Sequence, residues 1–240
     1  MRLSLLLLCV LLWSASASAS PEKVIEAALS RHFPPGAISD VQPSPIAGLY
    51  QAVVAGRVFY VSEDGRHIIS GRMLSLETRA DLTEPVLAEV RLRALDTVPE
   101  SEMIVFDATT ELRHTITTFT DIDCPYCRKM HLEMAALNSA GIRVRYLLYP
   151  RAGVGSESHE KAVSVWCADD QQSEMTLAKS GQTPTKRSCA NPIEQHMALA
   201  GQLGLRGTPF TITDTGRAIG GYVAAAELAR GLDEDKASQR

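Results

Sequence analysis

The sequence predicts an α+β chain in two parts: a small helix-and-strand unit, a helical linker, and a larger β-α-β unit with a helical insertion. Three observations predict it. PEKVIEAALSRHF, from Pro21 to Phe33, spaces its apolar residues for one helical face and precedes short runs rich in β-formers. RHTITTFTD, CPYCRKMHLEMAALNSAG and IRVRYLLYP lie between Arg113 and Pro150 and read as strand, helix and strand. A polar, helix-forming stretch from about Glu157 to Gly181 then separates this unit from a C-terminal hairpin.

Residues 1–19 are expected to be a signal peptide. Arg2 precedes an apolar run, Leu3 to Trp13, and Ala15, Ala17 and Ala19 then alternate with serines, so cleavage is expected after Ala17 or Ala19. The run is too short to span a bilayer stably, and no other run approaches the roughly 20 residues needed. The mature chain is therefore expected to be exported.

Residues 20–76 form the first unit. Val24, Ile25, Ala28, Leu29 and Phe33 share a helical face, and Pro34, Pro35 and Gly36 stop the helix. Val58, Tyr60, Ile68 and Ile69 supply β-formers, with Glu63-Asp64-Gly65 as a tight turn. So small a unit buries little surface and leaves sheet edges open, which predicts a dimerisation domain. Residues 77–102 read as a linker helix. Thr83 is the candidate cap, Pro85 suits the first turn, and Leu87, Val90 and Leu95 make a weak stripe, as in a solvated spacer.

Residues 103–240 form the larger unit. Two strands joined through a helix must be parallel. The helix ends at Gly141, a further helix spans Pro192 to Leu203, and GLRGTPFTITDTGRAIGGYV reads as a hairpin turning at Asp214-Thr215-Gly216. AAAELARGLDED closes the chain as a helix. A net charge of −4 with no basic stripe excludes a nucleic-acid partner.

The chemistry gathers at FTDIDCPYCRKMH, Phe119 to His131. Without Cys9, which falls in the signal, four cysteines remain: Cys124, Cys127, Cys167 and Cys189. An even number in an exported chain points to disulfide chemistry, with three possible pairings. Cys124 stands where strand becomes helix, beside unpaired N–H groups and the positive end of the helix dipole, and Pro125 suits the first turn. Both effects favour the thiolate, so Cys124 is the expected nucleophile. Cys127, one turn on and on the same side, is the expected resolving thiol. Asp123 opposes the thiolate by its charge. Cys124, Cys127 and His131 could ligate zinc, but a tetrahedral structural site usually needs a second close pair, so no metal is expected and His131 reads as a surface or core-edge residue. If Cys124 and Cys127 work as a pair, Cys167 and Cys189 remain for each other. Thr208-Pro209 opens the hairpin strand, where base rates favour a trans bond.

FTDIDCPYC, VRYLLYPRAG, Trp166-Cys167, GTP ahead of a hairpin and SEDGRHIISGRM in the first unit together resemble the DsbC/DsbG family of bacterial periplasmic disulfide isomerases, over nearly the whole mature chain. The resemblance implies a thioredoxin-like catalytic domain and a cystatin-like N-terminal domain that builds a V-shaped homodimer. It implies that Pro209 is cis and faces Cys124 with Thr208 before it, and that Cys167–Cys189 is a structural disulfide. It further implies isomerisation of misfolded disulfide-containing exported proteins, chaperone-like holding of unfolded chains, and the membrane reductase DsbD as electron donor, with no cofactor. One departure stands out. DsbC typically carries Gly-Tyr between its cysteines, whereas Pro125-Tyr126 resembles DsbG; the second cysteine pair is the DsbC feature. That leaves a reductase of sulfenylated cysteines, or a holdase with a minor redox role, as alternatives.

Overall fold

A computed structural model describes residues 20–238. The expected signal peptide and Cys9 lie outside them. The chain divides into two units, one running up to Val53 and again over Phe59–Ile69, the other comprising Val54–Val58 and Ser70 onward.

The first unit opens with α1 (Pro21–Leu29), whose proline occupies the first turn, where its missing N–H leaves no bond unmade. The helix buries Ile25 and Leu29. Four strands follow, β1 (Ile38–Pro43), β2 (Leu49–Val54), β3 (Arg57–Ser62) and β4 (Ile68–Ser70), adjacent in chain order. Ala55 and Gly56 both take positive φ between β2 and β3, as a two-residue hairpin turn requires. Gly65 turns the chain toward β4 at φ +69°, and a Cβ there would come 2.9 Å from that of Ala28 on α1, so glycine is needed twice over. Ile68 and Ile69 are 48% and 53% exposed, so β4 adds backbone pairing but no core.

The linker helix α2 (Glu84–Leu95) departs from the expected solvated spacer. It buries Val90, Arg91 and Leu95, and Leu95 packs with Met103 against Phe119 and Leu147. The Arg91 guanidinium donates to Glu84 at 2.6 Å and to the Gly216 carbonyl at 3.1 Å. Gly216, at φ +83°, brings backbone against backbone, since a Cβ there would collide with the Ala88 carbonyl. Thr83 holds the N-cap position, as expected, but its side chain does not cap the helix. The residue is already helical (φ −84°, ψ −29°), and its hydroxyl accepts from Met73 N–H, while Asp81 Oδ1 accepts from the Thr83 and Glu84 N–H groups.

After a 3-10 turn at Glu100–Glu102 come β5 (Ile104–Phe106), β6 (His114–Thr120), α3 (Pro125–Leu132), α4 (Met134–Ser139) and β7 (Ile142–Leu148). Then follow α5 (Glu157–Trp166), α6 (Gln171–Lys179), α7 (Ile193–Gln202), β8 (Phe210–Ile212), β9 (Ala218–Gly220) and α8 (Ala225–Ser238). The sheet order is β5-β7-β6-β8-β9. β6 and β7 are parallel, in register from His114 opposite Ile142 to Thr120 opposite Leu148, as the helical crossover demands. The other pairs are antiparallel. Both faces are covered. Ile116, Val144, Tyr146 and Leu148 pack beneath α3–α6 and α8, while Phe119, Leu147 and Ile212 pack beneath α2 and α7.

Two helices read as continuous are broken. The first breaks at Glu133 (φ −97°, ψ 12°), whose carboxylate accepts from the Tyr222 hydroxyl and from Ala225 N–H at the start of α8. The second breaks over Cys167–Asp170 because each half has its own cap: Ser156 accepts from His159 N–H, and Asp170 accepts from Ser173 N–H at 3.0 Å. Cys167, at the end of α5, is bonded to Cys189 with Cα atoms 5.8 Å apart.

Candidate active site

Cys124 is the residue before α3, with extended backbone (φ −74°, ψ 121°) and Pro125 in the first turn. The strand-to-helix switch follows from the residue types: β-branched threonines run to Thr120, and a proline then starts the helix. Cys124 and Cys127 are unbridged and each only 1% exposed, while Tyr126 between them is 63% exposed. The Thr208–Pro209 bond is cis, and the Thr208 carbonyl lies 3.2 Å from Cys124 Sγ, within reach of a thiol donor.

The cysteines sit in opposed electrostatic settings. Burial acts upward on the Cys124 thiol but is outweighed by the Thr208 hydroxyl, the Cys127 N–H, the Cys127 thiol and the Arg151 charge, so the thiol is held below its ordinary value. The Thr208 hydroxyl makes no hydrogen bond of good geometry among the described residues. The thiolate is the acceptor that would complete it, in place of the carbonyl contact made by the thiol. Burial wins at Cys127 and pushes its thiol up, against Lys179, the Asp121 N–H and the Thr120 and Thr208 hydroxyls. The two environments thus favour the thiolate at Cys124 and the thiol at Cys127.

Asp123 does not oppose the thiolate as expected. Arg128 holds its carboxylate at 3.0 Å, and Lys161 holds both oxygens at 3.0 and 3.2 Å. Asp121, 3% exposed, organises the loop before Cys124. Its carboxylate accepts from Arg151 Nε at 2.9 Å, Arg151 N–H at 3.0 Å, Ser158 Oγ at 2.6 Å and Asp123 N–H at 2.9 Å. Burial raises its carboxyl, and these bonds more than reverse that, leaving it below the carboxylate range. His131 is neither a surface nor a core-edge residue. It is 5% exposed, its ring nitrogens lie 3.3 Å from the Tyr146 hydroxyl and 3.0 Å from the Thr176 hydroxyl, and burial then Lys179 push it down to about 4. Among the described residues no group of three or more His, Cys, Asp or Glu is placed to hold a metal ion.

Sequence reasoning missed Asp121, Arg151, Thr120 and Lys179. For Lys179 a signal existed: it stands four residues after buried Met175, on the apolar side of α6.

Residues 15–84 match the family described as Disulfide bond isomerase protein N-terminal domain, and residues 100–235 match Thioredoxin-like domain. The chain is 39% identical over 196 residues to the Thiol:disulfide interchange protein DsbC of Escherichia coli (strain K12), covering 82% of this chain and 81% of that protein. It is 35% identical over 230 residues to the DsbC of Haemophilus influenzae (strain ATCC 51907 / DSM 11121 / KW20 / Rd), covering 95% of this chain and 96% of the relative. The crystal structure of a disulfide interchange protein from Neisseria gonorrhoeae superposes with TM-score 0.51 at 24% identity, covering 58% of this chain and 99% of that one, and shows the shared fold. With an unbridged C-x-x-C at a helix start beside a cis-proline, and relatives alike over four-fifths or more of their length, the chain belongs to the DsbC family of thiol:disulfide interchange proteins.

Proposed function

We propose that this protein is an exported, homodimeric disulfide isomerase of the periplasm, with Cys124 as nucleophile and Cys127 as resolving thiol. The observation that carries the assignment of roles is the opposed pair of thiol environments, Cys124 held down and Cys127 pushed up. The Cys124 thiolate attacks a wrong disulfide in a misfolded exported protein, forms a mixed disulfide and releases one substrate thiol. That thiol attacks another disulfide of the substrate, and the substrate thiol freed at the end of the exchange attacks the mixed disulfide and returns the Cys124 thiolate; otherwise Cys127 attacks Cys124 and releases the substrate reduced. Isomerisation consumes no electrons, but each resolution leaves Cys124–Cys127 oxidised, so a donor such as the membrane reductase DsbD must restore the dithiol. Thr208 and Pro209 offer backbone to the substrate beside Cys124, and Pro125 and Tyr126 tune potential and contact. The N-terminal domain, residues 20–76, supplies the dimer and, with it, apolar surface for unfolded chains. Residues 77–102 link it to the catalytic domain, residues 103–240, in which Cys167–Cys189 has a structural role. No helix of the described residues is long and apolar enough to cross a membrane.

The test is recovery of activity from a substrate protein with scrambled disulfides. Wild type should restore it and Cys124→Ser should not; equal recovery by both sinks the assignment. Pro125-Tyr126 favours one second reading, reduction of sulfenylated cysteines on folded proteins. Faster turnover of a sulfenylated protein than of a scrambled one would favour it.

A further inference from the structure

Lys179 ends α6 with its side chain turned inward and 2% exposed. Its Nζ donates to Thr120 Oγ1 at 2.7 Å and to the Asp121 carbonyl at 2.8 Å, two uncharged oxygens at the end of β6. The Asp121 carboxylate is committed elsewhere, to Arg151, Ser158 and the Asp123 N–H. A buried ammonium bonded only to neutral groups is costly, and either acquires a counter-charge or gives up its proton. Among the charged groups acting on Lys179, Cys127 comes first. The same Thr120 hydroxyl acts on the Cys127 thiol as a donor that favours its thiolate.

Thr120 can bridge the two in either sense, because a hydroxyl has one proton and two lone pairs. With Lys179 as ammonium, it accepts from Nζ and donates to the Cys127 thiolate. With Lys179 as amine, it accepts from the Cys127 thiol and donates to Nζ. Passing between these states moves one proton from sulfur to nitrogen without displacing a heavy atom.

We propose that Lys179, acting through the Thr120 hydroxyl, is the positioning residue that takes the proton of Cys127 as Cys127 resolves the mixed disulfide at Cys124. The inference rests on the roles given above to the two cysteines. In the step, the Cys127 proton passes to Thr120 while the Thr120 proton passes to the Lys179 amine. The Cys127 thiolate then bonds to Cys124 sulfur, the bond from Cys124 to the substrate sulfur breaks, and the departing substrate thiolate takes a proton from solvent. Burial prepares the exchange by disfavouring charge on both partners. It pushes the Cys127 thiol up and the Lys179 ammonium down to about 8, so the amine that takes the proton becomes available as pH rises toward that value. Around Nζ, Asp121 and Cys124 favour the ammonium and Arg128 opposes it. His131 is kept neutral partly by Lys179, and the Tyr146 ring lies 5.9 Å away.

The experiment uses the reduced full-length protein, mixed in stopped flow with an aryl disulfide whose thiolate absorbs, from about pH 5 to 9. The first release reports attack by Cys124, and the second reports resolution by Cys127. Lys179→Met and Thr120→Val should each raise the midpoint of the second phase by about one pH unit while leaving the first within about twofold. At neutral pH each unit should slow the second phase about threefold, because a tenfold loss of thiolate is partly offset by the greater nucleophilicity of a higher-pKa thiol. An unmoved second-phase midpoint, or equal slowing of both phases, overturns the proposal. Thr120→Val decides alone if Lys179→Met does not fold. Absence of the first release in the wild type would instead overturn the redox reading on which the proposal stands.

Discussion

Opening the Cys167–Cys189 bridge should cost about as much stability as truncating a large buried side chain in the second unit. The bridge closes a segment of sequence separation 22. In the chain-entropy model a loop of that length loses about 11 cal/mol/K in the unfolded state, or about 3.4 kcal/mol at 25 °C. Cys189 and most of residues 181–190 are exposed, so little apolar burial is lost with the sulfurs. For a unit of this size each kcal/mol moves the melting temperature by about 2–4 °C, so the double variant Cys167→Ala/Cys189→Ala should melt roughly 7–14 °C lower. Calorimetry on the two oxidised proteins measures this, with mass spectrometry of the alkylated wild type establishing the bridge. A loss under about 2 °C would refute the reasoning, for it would mean that the segment is ordered in the unfolded ensemble without its bridge. A loss matching the estimate with exchange at Cys124 intact would show that the bridge acts on stability and not on chemistry.

Three further outcomes can be read from equilibrium unfolding. His131 and His196, 5% and 0% exposed, are both pushed down by burial to about 4, so the unfolded chain binds more protons than the native one between pH 6.5 and 4. Stability should fall across that window, by up to about 3 kcal/mol for each, and His131→Leu should flatten the slope seen in urea titrations. Asp121→Asn keeps the shape but sets an amide among four donors, and should cost about 2–4 kcal/mol at pH 7. The Asp121 carboxyl is depressed, so its contribution is present above the ordinary carboxylate range and lost as pH falls below it. The gap between wild type and variant should close on acidification, and a gap independent of pH would contradict the charge argument. Leu95→Ala should cost about 2–4 kcal/mol, since Leu95 is 5% exposed and packs on Phe119 and Leu147.

What the sequence revealed and what it hid divide along one line. Periodicity and punctuation are local, so the crossover from His114 to Leu148, the placement of Cys124 at a helix start and the Asp214–Gly216 turn were all legible. Partners distant in sequence were not. The kink at Glu133 comes from Tyr222 and Ala225, about ninety residues on. The charge of Asp123 is countered by Lys161 from another helix. Lys179 finds Thr120 across 59 positions. The stripe on α2 looked too weak for a core element because its buried side contains Arg91, a charge satisfied by Glu84 and by a carbonyl beyond its own helix.

The backbone contact of Gly216 with Ala88 bears on how the catalytic half is cut out for study. A fragment starting near Ser101, where the chain looks like the end of a spacer, would discard the helix against which that turn is moulded. It would also take Leu95 from the cluster that holds Phe119 and Leu147 and leave the Gly216 carbonyl without its guanidinium. Self-association or sluggish chemistry in such a fragment would reflect a wounded surface, not the loss of a partner. A faithful excision begins upstream of Asp81, where the helix still has its cap.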